Sequence, residues 1–447
     1  MRRLPSILIL LLVSACSTIQ ASEWPQFRGP DGQGHAVGID WPLHWSDKEN
    51  VVWKTAIPGR GWSSPVVSGR RVWLTTALDT PAAEEVAKQV LKHKGTDVPN
   101  PMVAGHLTLK AVCVDTSSGR VLKEVTVLEF DEPFVISSAN SYASPTPVLD
   151  GGRLYCDFGT MGTVCVAEDT GEILWRKRLP VDHQVGPGSS SVVQGPLVIL
   201  VRDGIDEQYL VALDKATGET VWKTKRPSIP VGSPSHRKAF STPLVLQSNG
   251  CEQLISIGAR WIVSYEPATG KELWRVDTGA SFSNSSRPVF GGVLLFAGTS
   301  YPASVLRAIR LDGSGDVTAT HVQWQCQKAV PRLSSPLLAG EELYMVSDNG
   351  IASCLDARSG AVHWTQRLPG SYSASPVFAE GRVYYFAQDG KTTVTRAGKQ
   401  YERLAENQLD GRVLASPAFV DHTILLRTER DLYCIGLPGV AAGKSRQ

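Results

Sequence analysis

The side chains best suited to chemistry lie in short polar segments that recur along the chain: GRGWSS, NSYAS, SHRKAFS, NSSRP, VPRLSS, SYSAS and GRVLAS. Their charged, amide and aromatic members are Arg60, Trp62, Asn140, Tyr142, Arg237, Lys238, Arg287, Arg332, Tyr372 and Arg412. Guanidinium groups beside aromatic rings suit a carboxylate, a phosphate or a sulfated glycan, because the planar fork grips two oxygens while the ring offers a face. The same arginines would equally pair with Asp or Glu of neighbouring loops and seal the opening they surround.

Other chemistries find less support. The sequence contains no CxxC, no adjacent cysteines, no HExxH, no GxSxG elbow and no phosphate loop. Cys113, Cys165, Cys354 and Cys434 share one recurring slot, in VCVD, VCVA, SCLD and YCIG, which other copies fill with Ala212, Ser264 or Ala308. A slot that accepts Cys, Ala and Ser is a small packing position, so these thiols read as structural. Cys156 could face Cys165 across a hairpin, where export would permit a disulfide. Cys251 and Cys326 have no evident partner. Asp312, Ser314 and Asp316 in DGSGD begin like a calcium loop but lack its sixth-position glycine and twelfth-position glutamate, so the run reads as a turn. A net charge of +2 argues against a dedicated nucleic-acid binder.

The elements that must position these segments are strands. Residues 334–369 divide into four short apolar runs separated by Gly340, Asp348-Asn349-Gly350 and Arg358-Ser359-Gly360, the pattern of a four-stranded antiparallel meander. Asp356 and Gly360 bracket a tight turn, and Trp364 follows on the last strand. This turn-plus-tryptophan element recurs as Glu168–Gly171 with Trp175, Asp214–Gly218 with Trp222 and Glu266–Gly270 with Trp274. Weaker copies are Asp115–Gly119 with Lys123, Asp312–Gly315, and Arg396-Ala-Gly398. First strands open at Ser64-Pro65, Ser144-Pro145, Ser190-Ser191, Thr242-Pro243, Arg287-Pro288, Ser335-Pro336, Ser375-Pro376 and Ser416-Pro417, at intervals of 80, 46, 52, 45, 48, 40 and 41 residues. Four-stranded units of this length, each too small to bury its own apolar face, predict an all-β, eight-bladed β-propeller. Forty-one glycines and 28 prolines serve its turns.

The chain ends complete this reading. Residues 1–16 have the form of an export signal with a lipobox: Arg2 and Arg3, the apolar run Ile7–Val13, then Val13-Ser14-Ala15-Cys16. Lipidation of Cys16 is one expectation and simple secretion the other; Ser17 matches the sorting rule for the outer membrane. Residues 17–49 form an N-terminal extension, 50–437 the propeller, and 438–447 a tail. Residues 81–95 insert a short helix in the first blade, docked on the rim. Asn50–Ile57 looks like a fourth strand without its first three, with Trp53 in the tryptophan slot, whereas the last unit lacks a fourth strand. Val51–Thr55 is therefore expected beside Leu432–Ile435, leaving no free sheet edge.

WPQFRGPDGQG, NVVWKTAIPGRGWSSPVV, NSYASPTPV, FGTMGTVCV, LDKATGETVWKT and RTERDLYCIG, in this order, resemble the PQQ-like β-propeller repeat proteins of bacteria. That family is related in fold to the BamB outer-membrane assembly lipoprotein and to quinoprotein dehydrogenases. The resemblance implies the fold and leaves three functions open. One is a non-catalytic, BamB-like periplasmic or outer-membrane-anchored scaffold for an envelope protein partner. The second is a module binding an anionic or glycan ligand in the central funnel. The third is a PQQ-dependent alcohol or sugar dehydrogenase, which would require PQQ, Ca²⁺, a vicinal disulfide and a catalytic aspartate; no adjacent cysteines or calcium cluster map onto this sequence.

Overall fold

The computed structural model describes residues 23–94, 98–248 and 250–437. Cys16 and the 438–447 tail lie outside the described residues. Eight antiparallel sheets follow one another along the chain. Their first strands are Val66–Ser68, Val148–Asp150, Val192–Gln194, Leu244–Ser248, Val289–Gly291, Leu337–Ala339, Val377–Ala379 and Ala418–Val420. We number the blades 1–8 from these strands. Blade 6 shows the unit in its plainest form: Leu337–Ala339, Glu342–Val346, Ile351–Asp356 and Val362–Arg367.

Neighbouring blades are joined by an indole and a glycine. On each outer strand the tryptophan lies directly across from the small residue of the preceding strand: Trp175 from Cys165, Trp222 from Ala212, Trp274 from Ser264, Trp364 from Cys354. The small side chain leaves room for the ring, which accounts for the Cys/Ala/Ser slot. A β-bulge follows immediately in every one of these pairs. Trp274 Nε1 donates to Gln253 Oε1 of its own blade at 2.9 Å, whereas the other three rings reach the turn of the next blade. Trp175 Nε1 donates to Lys215 O at 3.2 Å, Trp222 Nε1 to Pro267 O at 3.0 Å, and Trp364 Nε1 to Gly398 O at 3.0 Å. The turn glycine lies flat on the indole, so a Cβ on Gly218 would come within 2.7 Å of Trp175 Cδ2. Glycine is therefore required twice at this point, for its φ of +75° and for the missing side chain.

Blade 5 carries the same contact through Trp324, which lies across from Ala308 and donates to Ala357 O at 3.1 Å. Sequence reading missed it because Val317–His321 is inserted between turn and strand. The DGSGD run is the connection there. It lends Gly315–Asp316 as a parallel fifth strand to blade 4, and Asp316 Oδ1 accepts from Thr318 N at 3.1 Å.

The inner strands are linked by a second repeated bond, from the backbone N–H of one blade to a hydroxyl of the next. Ser64 N donates to Thr146 Oγ1 at 3.0 Å, Thr146 N to Ser190 Oγ at 2.9 Å and Ser190 N to Thr242 Oγ1 at 3.0 Å. A second arc runs from Arg287 through Ser335 and Ser375 to Ser416. Blade 2 therefore opens at Thr146-Pro147 and not at Ser144-Pro145, and its flanking intervals are 82 and 44 residues. Ser144 Oγ instead bonds Asn140 Oδ1 at 2.6 Å. Arginine stands where the arcs stop. Arg287 Nε donates to Pro243 O at 3.0 Å, and Arg427 Nη1 in blade 8 donates to Ser63 Oγ at 2.7 Å and Thr75 O at 2.8 Å in blade 1.

Val51–Ala56 pairs antiparallel with Asp431–Gly436 as the fourth strand of blade 8, with Trp53 across from Cys434. Trp53 Nε1 reaches Thr116 O of blade 1 at 2.8 Å, and Thr55 Oγ1 reaches Gly119 O at 2.6 Å. Blade 8 thus docks on blade 1 through the same indole–turn contact. The Cys156–Cys165 disulfide that export would permit does not form. Cys156 lies across from Val164, and Cys165 from Tyr155, so the two thiols leave opposite faces of the sheet, and both are free. Burial pushes the Cys165 thiol up to about 11.

In a meander, alternate connections lie at opposite ends of the sheet. The extension runs over the end that carries the turns between first and second strands. Trp24 bridges to Val67, Pro25 O accepts from Leu149 N at 2.8 Å, and Phe290 N donates to Gln33 Oε1 at 2.6 Å. Arg28 Nη1 donates to Pro336 O at 2.8 Å, and His35–Ala36 pairs parallel with Phe378–Ala379. Farther on, the extension packs into blades 7 and 8. Trp45 N donates to Asn407 Oδ1 at 2.9 Å beside Ala405, which occupies the tryptophan slot of blade 7, and Trp41 packs on Phe419 at 5.2 Å. The helical insert is Glu84–Lys94, at the tip of a long hairpin of blade 1 formed by Arg71–Pro81 and Pro101–Asp115. Val86 on it is exposed.

Two outcomes follow. Gly218→Ala is expected to cost about 2–5 kcal/mol, adding overpacking against Trp175 to the left-handed backbone penalty of about 1–2 kcal/mol. Gly151→Ala, also at positive φ but with nothing within 4 Å, is expected to cost that backbone penalty alone, about 1–2 kcal/mol. Denaturant unfolding of the two variants checks this, and equal costs would refute the docking role of the turn. The second concerns His35, whose Nδ1 meets Asp31 Oδ2 and whose Nε2 meets Leu338 O, both at 2.6 Å. Burial opposes the charge, but the carboxylate and the carbonyl outweigh it and raise the His35 pKa above 6.5. A raised folded-state pKa contributes stability that is complete below pH 6.5 and lost as pH rises through the folded value. The stability gap between wild type and His35→Asn should therefore be widest in mild acid and narrow above neutrality; a gap constant across that range contradicts it.

Candidate functional site

The other face of the ring is built from the connections into the innermost strands and those between second and third strands. All ten residues singled out by sequence lie in or beside those connections, but they do not converge. Arg60 donates to Met102 Sδ at 3.0 Å and to Ser138 O, with its guanidinium 5.3 Å from the Trp62 ring. Asn140 is a brace, giving Nδ2 to Val185 O and Pro187 O at 3.0 Å each. Tyr142 and Tyr372 are core residues. The Tyr142 hydroxyl donates to Phe134 O at 2.9 Å and accepts from Ala104 N at 3.1 Å, and the Tyr372 hydroxyl donates to Pro369 O at 2.9 Å. Burial pushes both phenols up. Lys238 is buried and donates to Gln184 Oε1.

Arg287 points toward the opposite face, where Nη1 donates to Phe27 O at 2.5 Å and Nη2 to Gln26 Oε1 at 3.4 Å. Burial lowers it to about 10, and burial, followed by the charge of Arg287, lowers the neighbouring Arg28 to about 9. Arg332 and Arg412 are exposed and Arg237 is half-buried. A ring of arginines gripping one anion is therefore not what these residues form. Sequence placed them on these loops, but which way a side chain leaves its loop depends on contacts outside the repeat, up to 260 residues away for Arg287.

Two groupings on this face escaped sequence reading. One is a ladder of planar groups drawn from four loops. His236 stacks on Phe282 at 4.1 Å, Phe282 on Tyr301 at 5.8 Å, and the Arg332 guanidinium lies 4.7 Å over Tyr301. Tyr301 and the adjacent Leu333 remain 38% and 44% exposed, so the ladder presents an edge to solvent. No repeat-level signal marks these residues, because each falls in a loop of different length.

The second is a cavity of ≈230 Å³ enclosed by Phe134–Ser137, the turn Gly159–Met161 and the loop from Arg178 to Pro187. Beneath it, one buried ion pair ties blade 3 to blade 2 and a second lies within blade 3, where Arg226 also donates to Ser256 Oγ of blade 4 at 2.8 Å. Arg202 Nη2 donates to Asp157 Oδ1 and Arg226 Nη2 to Asp203 Oδ2, both at 2.7 Å. Burial raises the Asp203 pKa, and the Asp203 carboxylate raises that of Arg226 despite burial.

Ca²⁺ and PQQ, which only the dehydrogenase alternative requires, call for clustered oxygen donors around the metal. Among the described residues no group of three or more His, Cys, Asp and Glu is placed to hold a metal ion. Asp157 and Asp203, the buried carboxylates nearest this face, are committed to arginine. The residues present do not fit that group.

Comparison with known proteins bears on the fold. A search of curated proteins returns no match. Among solved structures, BamB from Moraxella catarrhalis aligns with a TM-score of 0.52 at 12% identity, over 75% of this chain and 95% of that one. A europium-containing methanol dehydrogenase aligns with a TM-score of 0.59 at 11% identity, over 92% and 88%. The quinohemoprotein alcohol dehydrogenase ADHIIG from Pseudomonas putida HK5 gives 0.55 at 11% identity, over 95% and 81%. These likenesses establish the propeller architecture, which the scaffold and the enzymes share. The sequence profile described as outer membrane protein assembly factor BamB matches residues 43–224, 108–255 and 258–435. With that profile spanning nearly all of the blades, the chain belongs to the BamB family of PQQ-like propellers.

Proposed function

We propose that this protein is a non-catalytic envelope scaffold that engages a protein partner through the face opposite its N-terminal extension. One observation carries the reading. Residues 24–47 cross one face and bond to blades 1, 2, 5, 6, 7 and 8, so that face is spent on holding the ring together. The opposite face keeps half-exposed aromatic and aliphatic side chains next to arginine, the composition that protein interfaces favour. Export with acylation at Cys16 would hold such a scaffold at a membrane, in keeping with the family to which it belongs.

The anionic or glycan ligand has less support, because Arg60, Lys238 and Arg287 spend their donors within the fold. The PQQ-dependent dehydrogenase lacks an identifiable donor set. The test is capture from envelope extracts with the full-length protein, comparing wild type with Tyr301→Ala/Arg332→Glu, both of unchanged melting temperature. A discrete partner should be lost or weakened by about tenfold or more in the variant. Capture unaffected by the change, or alcohol oxidation after reconstitution with PQQ and Ca²⁺, would overturn the reading.

A further inference from the structure

The ≈230 Å³ cavity is built entirely from departures from the repeat. Phe134–Ser137 is an extra strand that pairs with the overlong Pro101–Asp115 of blade 1. Gly159–Met161 is a 3₁₀ turn where blade 6 has the short Asp348-Asn349-Gly350 turn. The third wall is the long loop between blades 2 and 3. In repeat folds the shared framework supplies stability, and additions to it gather on the binding face.

The chemistry of the walls narrows the occupant. Phe134, Ile136, Met161, Val181 and Pro187 give apolar surface. Several of the polar groups around them are already engaged. Tyr142 is bonded on both sides, and Arg178 pairs with Glu132 Oε1 at 2.5 Å and donates to Thr160 O at 3.4 Å. Asp182 Oδ1 accepts from Gln184 N at 2.9 Å, and Gln184 Oε1 accepts from Lys238. With Tyr142, Arg178 and Gln184 engaged within the fold, each sugar hydroxyl buried here without a partner would carry a cost. The volume is below the range of about 300–1,000 Å³ typical of drug-sized ligands and suits a single side chain. The Arg178 guanidinium, 5.3 Å from the Phe130 ring and 5.9 Å from the Phe134 ring, and the Met161 thioether favour an aromatic one.

We infer that this cavity is an anchor pocket that receives one aromatic side chain of a protein partner. The inference rests on the scaffold reading and names the point on the open face where a partner would be fixed.

The sequence holds four methionines, so methyl-labelled methionine gives a sparse spectrum with Met161 in the pocket and Met345 in blade 6 as an internal control. N-acetyl-tryptophanamide and N-acetyl-phenylalaninamide, titrated into the full-length protein, should shift the Met161 methyl saturably in the millimolar range and leave Met345 unmoved. Thr160→Trp, at the rim and outside the core, should abolish the shift while keeping the wild-type melting temperature; Thr160→Val should retain it. No saturable shift at Met161, an equal shift with N-acetyl-alaninamide or glucose, or a shift that survives in Thr160→Trp would overturn the assignment. Envelope capture that depends on Tyr301 and Arg332 but not on Thr160 would remove the anchor and leave the scaffold standing.

Discussion

The contact on which the molecule depends is an indole laid on a bare turn. A four-stranded sheet of this size has two apolar faces and too little area to remain folded alone. What makes the sheets a ring is that the outer strands of blades 2, 3, 5 and 8 carry a tryptophan opposite a small residue, and the next turn presents glycine to its ring. The indole N–H then finishes on a carbonyl of that same turn. Packing, backbone conformation and a hydrogen bond are satisfied together, and no one of the three residues can change without disturbing the other two.

In blades 7 and 8, where the repeat fails to supply this contact, the N-terminal extension supplies a substitute. Blade 7 has Ala405 in place of tryptophan, and Trp45 lies beside it. Blade 8 has no fourth strand of its own, and Val51–Ala56 provides one complete with Trp53. Residues 24–57 are therefore part of the framework in blades 7 and 8 and a cover over one face. That cover makes the two faces unequal. The inner hydroxyl-to-amide arcs are interrupted by Arg287 and Arg427, and Arg287 is also the residue that grips the extension.

Much of the fold was legible in sequence because the repeat writes it several times over. Gly218, Gly270 and Gly360 each announce a turn, and the tryptophan four residues after each announces the strand beyond it. The register of blade 2 was misread by two residues because Ser144-Pro145 and Thr146-Pro147 are equivalent as text; only the bond from Thr146 to Ser190 separates them. Trp324 was hidden by an insertion that broke the spacing. The face proposed to bind was the least legible part. Tyr142 and Tyr372 look like loop aromatics but are core, whereas Phe282 and Tyr301 come together only because four unrelated loops end at the same height. Repetition encodes the framework, and departures from it carry the site, so periodic reasoning finds the first and overlooks the second.

The seam between blades 8 and 1 offers the most direct test. There a Cβ on Gly119 would come within 2.7 Å of Trp53 Cδ2, joining the chain's first strand to its first complete blade. A double-mutant cycle of Gly119→Ala with Trp53→Leu, read by denaturant unfolding, measures that contact alone. The alanine should cost about 1–3 kcal/mol more when the indole is present than when leucine replaces it. An identical cost in both backgrounds would show that indole and turn do not depend on each other, and the account of how the ring is fastened would be wrong.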